Sequence, residues 1–197
     1  AVLAVAEDPR IRADPVRYDG QAAALNALVP AVRGGIVAIL PPVVALAPDA
    51  LRVVVGAFRE TRADVLYSDE DHRDPDGCRH TPRFQPGWSP DLLLSTMYWS
   101  RVAFYRREVL DRLLPLRTEL DGAHGYDLAL RSTEGPARVV HVPRILAHVD
   151  GSALTRVAGD RDPAKRALEL AVERRGLAAT VERVGPDTFR VRRAIAA

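Results

Sequence analysis

The sequence predicts an α/β fold in which helices flank a parallel or mixed sheet. Residues 36–40 are an apolar five-residue run, which is typical of a buried central strand. A helix is predicted from Asp49 to about Arg62, because its apolar residues recur at helical spacing. The next strand follows at residues 64–67. Strand, helix and strand with short connections between them indicate an α/β domain.

The remaining elements of the main domain are predicted from hydrophobic spacing and turn residues. A helix over residues 21–33 is distorted near its end by Pro30 and stops at Gly34. Elsewhere the expected elements are an apolar segment at 2–6, a short strand at 11–18, a loop at 72–90, a strand or helix–strand pair over 92–105, helices over 107–114 and 126–132, and strands over 138–142 and 145–148. Pro143 is expected to break the last two strands apart.

A small C-terminal extension is predicted after the main domain. Asp162 and Pro163 begin a helix, with proline at its first position, and Gly176 ends it. A hairpin over residues 180–183 and 188–192 follows. We therefore divide the chain into a main domain, residues 1–160, and a helix-and-hairpin extension, residues 161–197, that packs on it.

Composition excludes several classes of protein. The chain has 197 residues, 47% apolar and 27% charged, which suits a soluble globular protein with one main core. No apolar run approaches the roughly 20 residues that span a bilayer, and the N-terminus has no secretory-signal pattern. The single cysteine, Cys78, suits a reducing compartment, so a cytoplasmic location is expected. The net charge is +2 without a basic stripe, so no nucleic-acid partner is expected.

The segment that follows the strand at 64–67 contains the residues best suited to chemistry. Asp69, Glu70 and Asp71 form an acidic turn at the strand's carboxyl end, where an α/β sheet usually has its site. These acids could bind a metal, contact a sugar donor or position an acceptor. Alternatively, they form a solvated turn whose carboxylates pair with Arg73 or Arg83.

Several sequence blocks, in the same order, resemble family 2 glycosyltransferases of the polysaccharide and O-antigen type. The blocks are AAALNALVPAVRGGIVAIL, LAPDAL, YSDED with FQPGWSPDLLL, GYDLALRSTE, and HVPRILAHVDGSA. The resemblance covers about residues 9–193 and implies the GT-A fold, a Rossmann-like mixed sheet flanked by helices. It also implies an inverting transfer, in which a carboxylate-bound divalent metal neutralises the donor diphosphate and an Asp deprotonates the acceptor hydroxyl.

The chain departs from the family pattern at the positions where that chemistry is expected. The metal-binding acidic cluster would lie directly before LAPDAL, where this chain has Pro41, Pro42, Val43 and Val44. The base would lie directly before Tyr126, where the chain has His124-Gly125. The resemblance further implies that the family's first strand and helix would precede Ala1. The expected metal and base carboxylates are therefore absent from their usual positions.

The candidate site residues follow from the residues and the resemblance together. Contacts to donor or acceptor are predicted for Asp69, Glu70, Asp71, Trp88 and His148. Trp88 would stack on a sugar or base, or it anchors a proline-rich loop. His148 would contact phosphate or metal, or it is structural.

Asp71 and His124 are the candidate catalytic groups, although a loop histidine is more often simply exposed. No residue is assigned as a metal ligand, and no cofactor is expected. A bound manganese or magnesium ion is expected only if the acidic turn at residues 69–71 binds it.

The resulting hypothesis is a glycosyltransferase family 2-like domain that is degenerate and non-catalytic. It would act as an accessory, assembly or weak sugar-nucleotide-binding module in glycan biosynthesis. The alternative is an active inverting transferase that moves a sugar from a nucleotide sugar to a glycan, without metal. Partners would be a nucleotide sugar or glycan, other glycosyltransferase domains, or a second copy that covers residues 92–104. A third alternative is a fragment of a longer enzyme.

Overall fold

The computed structural model describes residues 16–99, 101–150 and 162–194, which form eight strands and six α-helices. The strands are β1 (Ile36–Ala38), β2 (Val44–Leu46), β3 (Val65–Arg73), β4 (Arg79–Arg83), β5 (Ala103–Arg106), β6 (Val139–Asp150), β7 (Ala179–Gly185) and β8 (Thr188–Arg193). The helices are α1 (Gln21–Leu28), α2 (Ala50–Thr61), α3 (Pro90–Leu93), α4 (Arg107–Leu113), α5 (His124–Ser132) and α6 (Pro163–Arg174). The predicted segment at 2–6 and most of the strand predicted at 11–18 lie outside the described residues.

The main sheet is mixed, as predicted. Its strand order is β1-β5-β3-β6-β2, and β4 pairs with the far end of β3. Strands β3 and β6 are parallel, whereas the other neighbours are antiparallel. The strand predicted as central, β1, is instead a three-residue edge strand, and β3 holds the central position. The prolines that follow β1 cannot donate ladder hydrogen bonds, which explains its early end.

The core lies on both faces of the sheet. Val65 and Tyr67 of β3 belong to a large apolar cluster with residues of α4, α5 and α6. Leu66, between them, belongs to a second cluster beneath α2, together with Val54 and Phe58. This alternation is the two-residue period of a strand that is buried on both faces.

The prediction of an acidic turn is wrong, because Asp69, Glu70 and Asp71 lie inside β3. The strand runs to Arg73 and pairs with β6 on one side over its full length. On its other side, its distal half pairs with β4, a strand that the sequence did not predict. Runs of Asp and Glu are unfavourable in strands, so only specific partners could keep these acids there.

Pro143 does not break the strand at residues 138–148, contrary to prediction. Strand β6 is continuous from Val139 to Asp150. Its register against β3 jumps from Val142 opposite Ser68 to Ile145 opposite Asp69. Two residues of β6, Pro143 among them, therefore lie in a bulge, where the missing N–H of a proline interrupts no ladder bond.

The C-terminal extension has the predicted helix and hairpin. The Asp162 side chain accepts a hydrogen bond from the Lys165 backbone N–H (3.0 Å) and so caps α6. Phe189 of β8 stacks on Tyr126 of α5, with ring centroids 6.3 Å apart. The backbone N–H of Phe189 also donates to Ser95 O (2.7 Å). The C-terminal helix and hairpin therefore contact α5 and the segment at Ser95. The division into two parts stays a prediction, because its boundary at 160/161 lies outside the described residues.

Self-association through residues 92–104 stays a prediction, although most of the large apolar side chains of this segment lie in the core. Leu93, Tyr98, Trp99, Val102 and Phe104 are all buried in the core. Among the described residues, no helix has the length and apolar character needed to cross a membrane.

Candidate functional site

Strand β3 carries a row of three buried carboxylates, which we call the acidic row: Asp69, Glu70 and Asp71. Their residues are only 3%, 1% and 3% exposed. A carboxylate removed from water is unfavourable unless it is paired and hydrogen-bonded. The partners of each one therefore decide what the acidic row can do.

Asp69 is held by a backbone amide and an imidazole. Its Oδ1 atom accepts from Gln85 N (2.8 Å) and from His141 Nε2 (2.8 Å). His141 in turn stacks on the ring of Tyr67, with centroids 5.0 Å apart. Tyr67 is fixed by its hydroxyl, which donates to Pro86 O (2.7 Å). Asp69 therefore joins β3, β6 and the segment after β4.

Glu70 uses both of its oxygens on one arginine. Its Oε2 atom accepts from the backbone N–H of Arg101 (2.9 Å), and its Oε1 atom accepts from Arg101 Nη1 (2.7 Å). Arg83 approaches the same Oε1 atom at 3.4 Å, so one of the predicted arginine pairings is present. The other one is not, because Arg73 instead forms a two-point ion pair with Asp150 (2.7 and 2.9 Å).

Asp71 bridges an imidazole and a guanidinium. His148 Nδ1 lies 2.5 Å from its Oδ1 atom, and Arg79 Nε donates to its Oδ2 atom (2.6 Å). Burial opposes the charge of this carboxyl, but the hydrogen bonds from His148 and Arg79 outweigh burial, so the pKa of Asp71 is lowered from its ordinary value. His148 thus supports the acidic row from β6, and Asp71 is ionised at neutral pH.

The acidic row does not fit a divalent metal. Hard cations take several oxygen ligands at once, yet both oxygens of Glu70 and of Asp71 already accept hydrogen bonds from cationic or imidazole donors. Over the described ranges, no three His, Cys, Asp or Glu side chains are grouped so that they could hold a metal ion.

A small cavity lies where the end of β1, strand β5 and the N-terminus of α5 meet. Its volume is about 50 Å³, and its lining residues are Ile39, Pro41, Met97, Arg101, Ala103, Tyr105, His124, Gly125 and Leu128. Pro41 and Gly125 come from the two sequence positions at which the family resemblance implies metal-binding and base carboxylates. The fold brings these two positions together, and no described lining residue is a carboxylate.

His124 is the first residue of α5 and is half-buried, so the expectation of an exposed loop histidine is wrong. Its Nδ1 atom is buried and has no hydrogen-bond partner among the described residues. Burial lowers the pKa of His124 from its ordinary value, and the charge of Asp121 only partly opposes that effect. The imidazole is therefore neutral at pH 7 and is free to donate or accept one hydrogen bond.

Trp88 and His148 are placed by packing rather than by the cavity. Trp88 contacts the buried Trp99 edge-on, with centroids 5.7 Å apart, and Trp99 stacks on Tyr67 at 5.2 Å. Neither Trp88 nor His148 lines the cavity. Of the predicted site residues, only His124 lies at the cavity, while Glu70 reaches it through Arg101.

Arg101 is the residue that sequence reasoning missed. It precedes the apolar run of β5 and looks like an ordinary strand-flanking arginine. Nothing local indicates that its backbone and side chain would both bind Glu70, which is 31 residues away. The one signal was that Glu70, if buried, would need a cationic partner, and the sequence does not show which cation that is.

The comparisons with known proteins agree with this architecture. The chain is 38% identical over 197 residues to the O-antigen biosynthesis protein RfbC of Myxococcus xanthus, across 96% of this chain and 16% of that protein. It is 29% identical over 174 residues to the uncharacterized protein y4gI of Sinorhizobium fredii, across 83% of this chain and 19% of that protein. The chain thus spans less than a fifth of the length of either relative. No protein-family model matches it.

Solved structures with a similar fold include S. aureus TarS 1-349. Its complex with UDP-GlcNAc superposes with a TM-score of 0.61 at 13% identity, over 78% of this chain and 46% of that chain. Its complex with UDP gives a TM-score of 0.54 at 12% identity, over 75% and 43%. At such identities the likeness concerns the fold alone. In fold and sequence, the chain resembles the GT-A glycosyltransferases of family 2, in particular those of polysaccharide and O-antigen biosynthesis.

Proposed function

We propose that the chain is a glycosyltransferase family 2-like domain that no longer transfers sugar by itself. It would serve glycan biosynthesis as an accessory or assembly module that keeps weak contact with a sugar nucleotide. The relative named for O-antigen biosynthesis supports the glycan setting. The TarS complexes with UDP-GlcNAc and UDP support a uridine nucleotide as the first ligand to test.

The observation that carries this proposal is the composition of the cavity between β1, β5 and α5. Transfer from a nucleotide sugar requires a base for the acceptor hydroxyl and positive charge on the leaving diphosphate. In the family resemblance, one group of carboxylates holds the metal and another carboxylate is the base. The described lining of the cavity has Pro41 and Gly125 at those positions. The carboxylates of the acidic row are bound to internal partners that hold the sheet together.

A second candidate function, metal-independent transfer, is favoured by one observation. His124 is kept neutral by burial, and its Nδ1 atom has no partner within the described part of the chain, so it could accept a proton from an acceptor hydroxyl. Arg101, in the same cavity, could neutralise the diphosphate. Under this alternative, His124→Gln would abolish turnover while leaving nucleotide binding intact.

The test is a transfer assay on the purified 197-residue chain. UDP release from UDP-GlcNAc would be followed with a glycan acceptor fraction, in the presence and absence of Mn²⁺. Our proposal predicts no release above that of a heat-inactivated sample. Sustained release with formation of a glycosylated product would overturn it, and the His124→Gln variant would then decide whether the second candidate is correct.

A further inference from the structure

Two histidines lie side by side on the β3–β4 hairpin. His72 of β3 is directly opposite His80 of β4 in the antiparallel register, and the centroids of their rings are 5.8 Å apart. Side chains opposite each other in such a pair have Cβ atoms about 4.5–5.5 Å apart. The strand pairing therefore fixes the approach of two imidazoles, and imidazole is the commonest metal ligand in proteins.

The hydrogen bond made by His80 suits a metal ligand. His80 Nδ1 lies 2.8 Å from the hydroxyl oxygen of Thr81. When Nδ1 donates to this hydroxyl, the neutral ring has its free lone pair on Nε2, which is the form that binds a metal. Thr81 has a φ of +48°, which is unusual for a β-branched residue, and it lies where the register of β4 against β3 shifts.

The ring of His72 is available as well. His72 is half-buried, and its ring faces that of His80 at a tilt of 43°. Neither of its ring nitrogens has a hydrogen-bond partner within the described part of the chain. Both imidazoles of the pair can therefore offer a nitrogen to the same ion.

The arginines next to both histidines do not oppose a cation strongly. Arg73 forms a two-point ion pair with Asp150 (2.7 and 2.9 Å), and Arg79 donates to Asp71 (2.6 Å). Successive residues of a strand point to opposite faces, so these guanidinium groups lie on the other face of the hairpin from the two histidines. A metal ion that approaches the imidazoles thus meets neutralised cations on the far face.

We propose that His72 and His80 together bind one divalent transition-metal ion, of the kind represented by Zn²⁺ and Ni²⁺, with water in the remaining coordination positions. Imidazole suits these ions, whereas Mn²⁺ binds nitrogen ligands least strongly in the first-row series. In the described ranges no third side chain of a metal-binding type completes the set, so the site is open. The ion would join β4 to β3, and β4 supplies Arg79 and Arg83 to the acidic row.

The test is calorimetric titration of the tag-free chain with Ni²⁺. Cys78→Ser is the parent protein, because the exposed thiol of Cys78 could bind such an ion itself. We expect one saturable Ni²⁺ site and no saturable Mn²⁺ binding. His72→Gln and His80→Gln should each lower the affinity about tenfold or more, since each removes one of the two protein ligands. Binding should be weaker at about pH 5.5 than at about pH 7.5, because a ligating imidazole must be unprotonated.

Matched variants separate this site from the other histidines and test the role of Thr81. His124→Gln, outside the hairpin, should bind Ni²⁺ within about twofold of the parent. Thr81→Ala removes the hydroxyl that orients His80 and should lower the affinity on the order of tenfold, whereas Thr81→Ser keeps the hydroxyl and should restore it.

A second readout assigns the ligands directly. In the imidazole region of the NMR spectrum, Zn²⁺ should shift the signals of both His72 and His80 at the same metal concentration. The signals of His124, His141 and His148 should stay in place.

Several results would overturn the proposal. These are no saturable Ni²⁺ site at up to about millimolar concentration, equal affinity in His72→Gln or His80→Gln, and a Zn²⁺-induced shift in only one of the two imidazoles. The inference does not depend on the proposed function, so the presence or absence of sugar transfer leaves it untouched.

Discussion

The acidic row on β3 and the cavity at the N-terminus of α5 differ in whether their polar groups are available to a ligand. The acidic row has three carboxylates, yet each of them accepts hydrogen bonds from neighbouring strands or segments. The cavity has no carboxylate among its described lining, yet it holds an unpartnered imidazole and an arginine with spare donors. Residue types that suit catalysis therefore do not locate a site, because their partners decide whether they are available.

The largest expected effect comes from removing the central carboxylate of the acidic row. Glu70→Ala would leave the guanidinium of Arg101 without its buried partner. Loss of one member of a buried ion pair costs about 3–5 kcal/mol, and we expect about 3 kcal/mol in the free energy of unfolding because Arg101 is partly exposed. Urea denaturation measures this. Glu60→Ala, on an exposed position of α2, is the control and should change stability by less than about 0.5 kcal/mol.

A somewhat smaller effect is expected for Trp88. Trp88→Ala removes a half-buried ring that packs on Trp99 and should cost about 2 kcal/mol of stability. Because Trp88 does not line the cavity, the affinity for UDP should stay within about twofold of wild type. Thermal unfolding and calorimetry on the same preparation check both statements. A large loss of affinity in a stable Trp88→Ala protein would restore the reading of Trp88 as a ligand-stacking residue.

Asp71 should make stability depend on pH in the acid range. The pKa of Asp71 is lowered in the folded state. The ionised carboxylate therefore stabilises the fold at pH values above 3.8, which is the ordinary pKa of this group. That contribution is lost as the pH falls through the lowered native pKa. Asp71→Asn should therefore cost about 1–2 kcal/mol at pH 7, and its difference from wild type should shrink below about pH 4. Denaturation midpoints from pH 7 to pH 3 measure this, and an equal difference at all pH values would contradict it.

The smallest effect is expected from introducing an acid next to the cavity. A Cβ at Gly125 would meet no atom within 4 Å, and Gly125 lies in the first turn of α5. Gly125→Asp should fold normally and gain about 0.5 kcal/mol from its position near the helix N-terminus. We expect no sugar transfer, because Pro41 remains. Gly125→Ala is the matched control, and transfer by Gly125→Asp alone would show that one carboxylate suffices.

Much of the fold could be predicted from the sequence, because local patterns determine it. Helix α2 followed from its apolar spacing, and α6 followed from Asp162, Pro163 and Gly176. The course of β3 beyond Tyr67 could not be predicted in the same way. Among the partners that hold its acids in the strand are Arg79, Arg101, His141 and His148, which lie between 8 and 77 residues away along the chain.

The candidate site was predictable only in part, for the same reason. The motif blocks predicted that residues 41–44 and 124–125 would matter, and the fold places Pro41 and Gly125 in one cavity. The sequence did not show that Arg101 would join them, since its position depends on the long-range bonds to Glu70. It also did not show that His124 would be half-buried, because a histidine between two nearby glycines, Gly122 and Gly125, ordinarily indicates a loop.

Direct titration of the chain with Mn²⁺ tests the central claim, that the acidic row is structural and unavailable to a metal. We expect no saturable Mn²⁺ binding at submillimolar concentration by calorimetry, and identical traces for wild type and Asp71→Asn. A single saturable Mn²⁺ site that is present in wild type and lost in Asp71→Asn would contradict the account. It would place a working metal centre on β3.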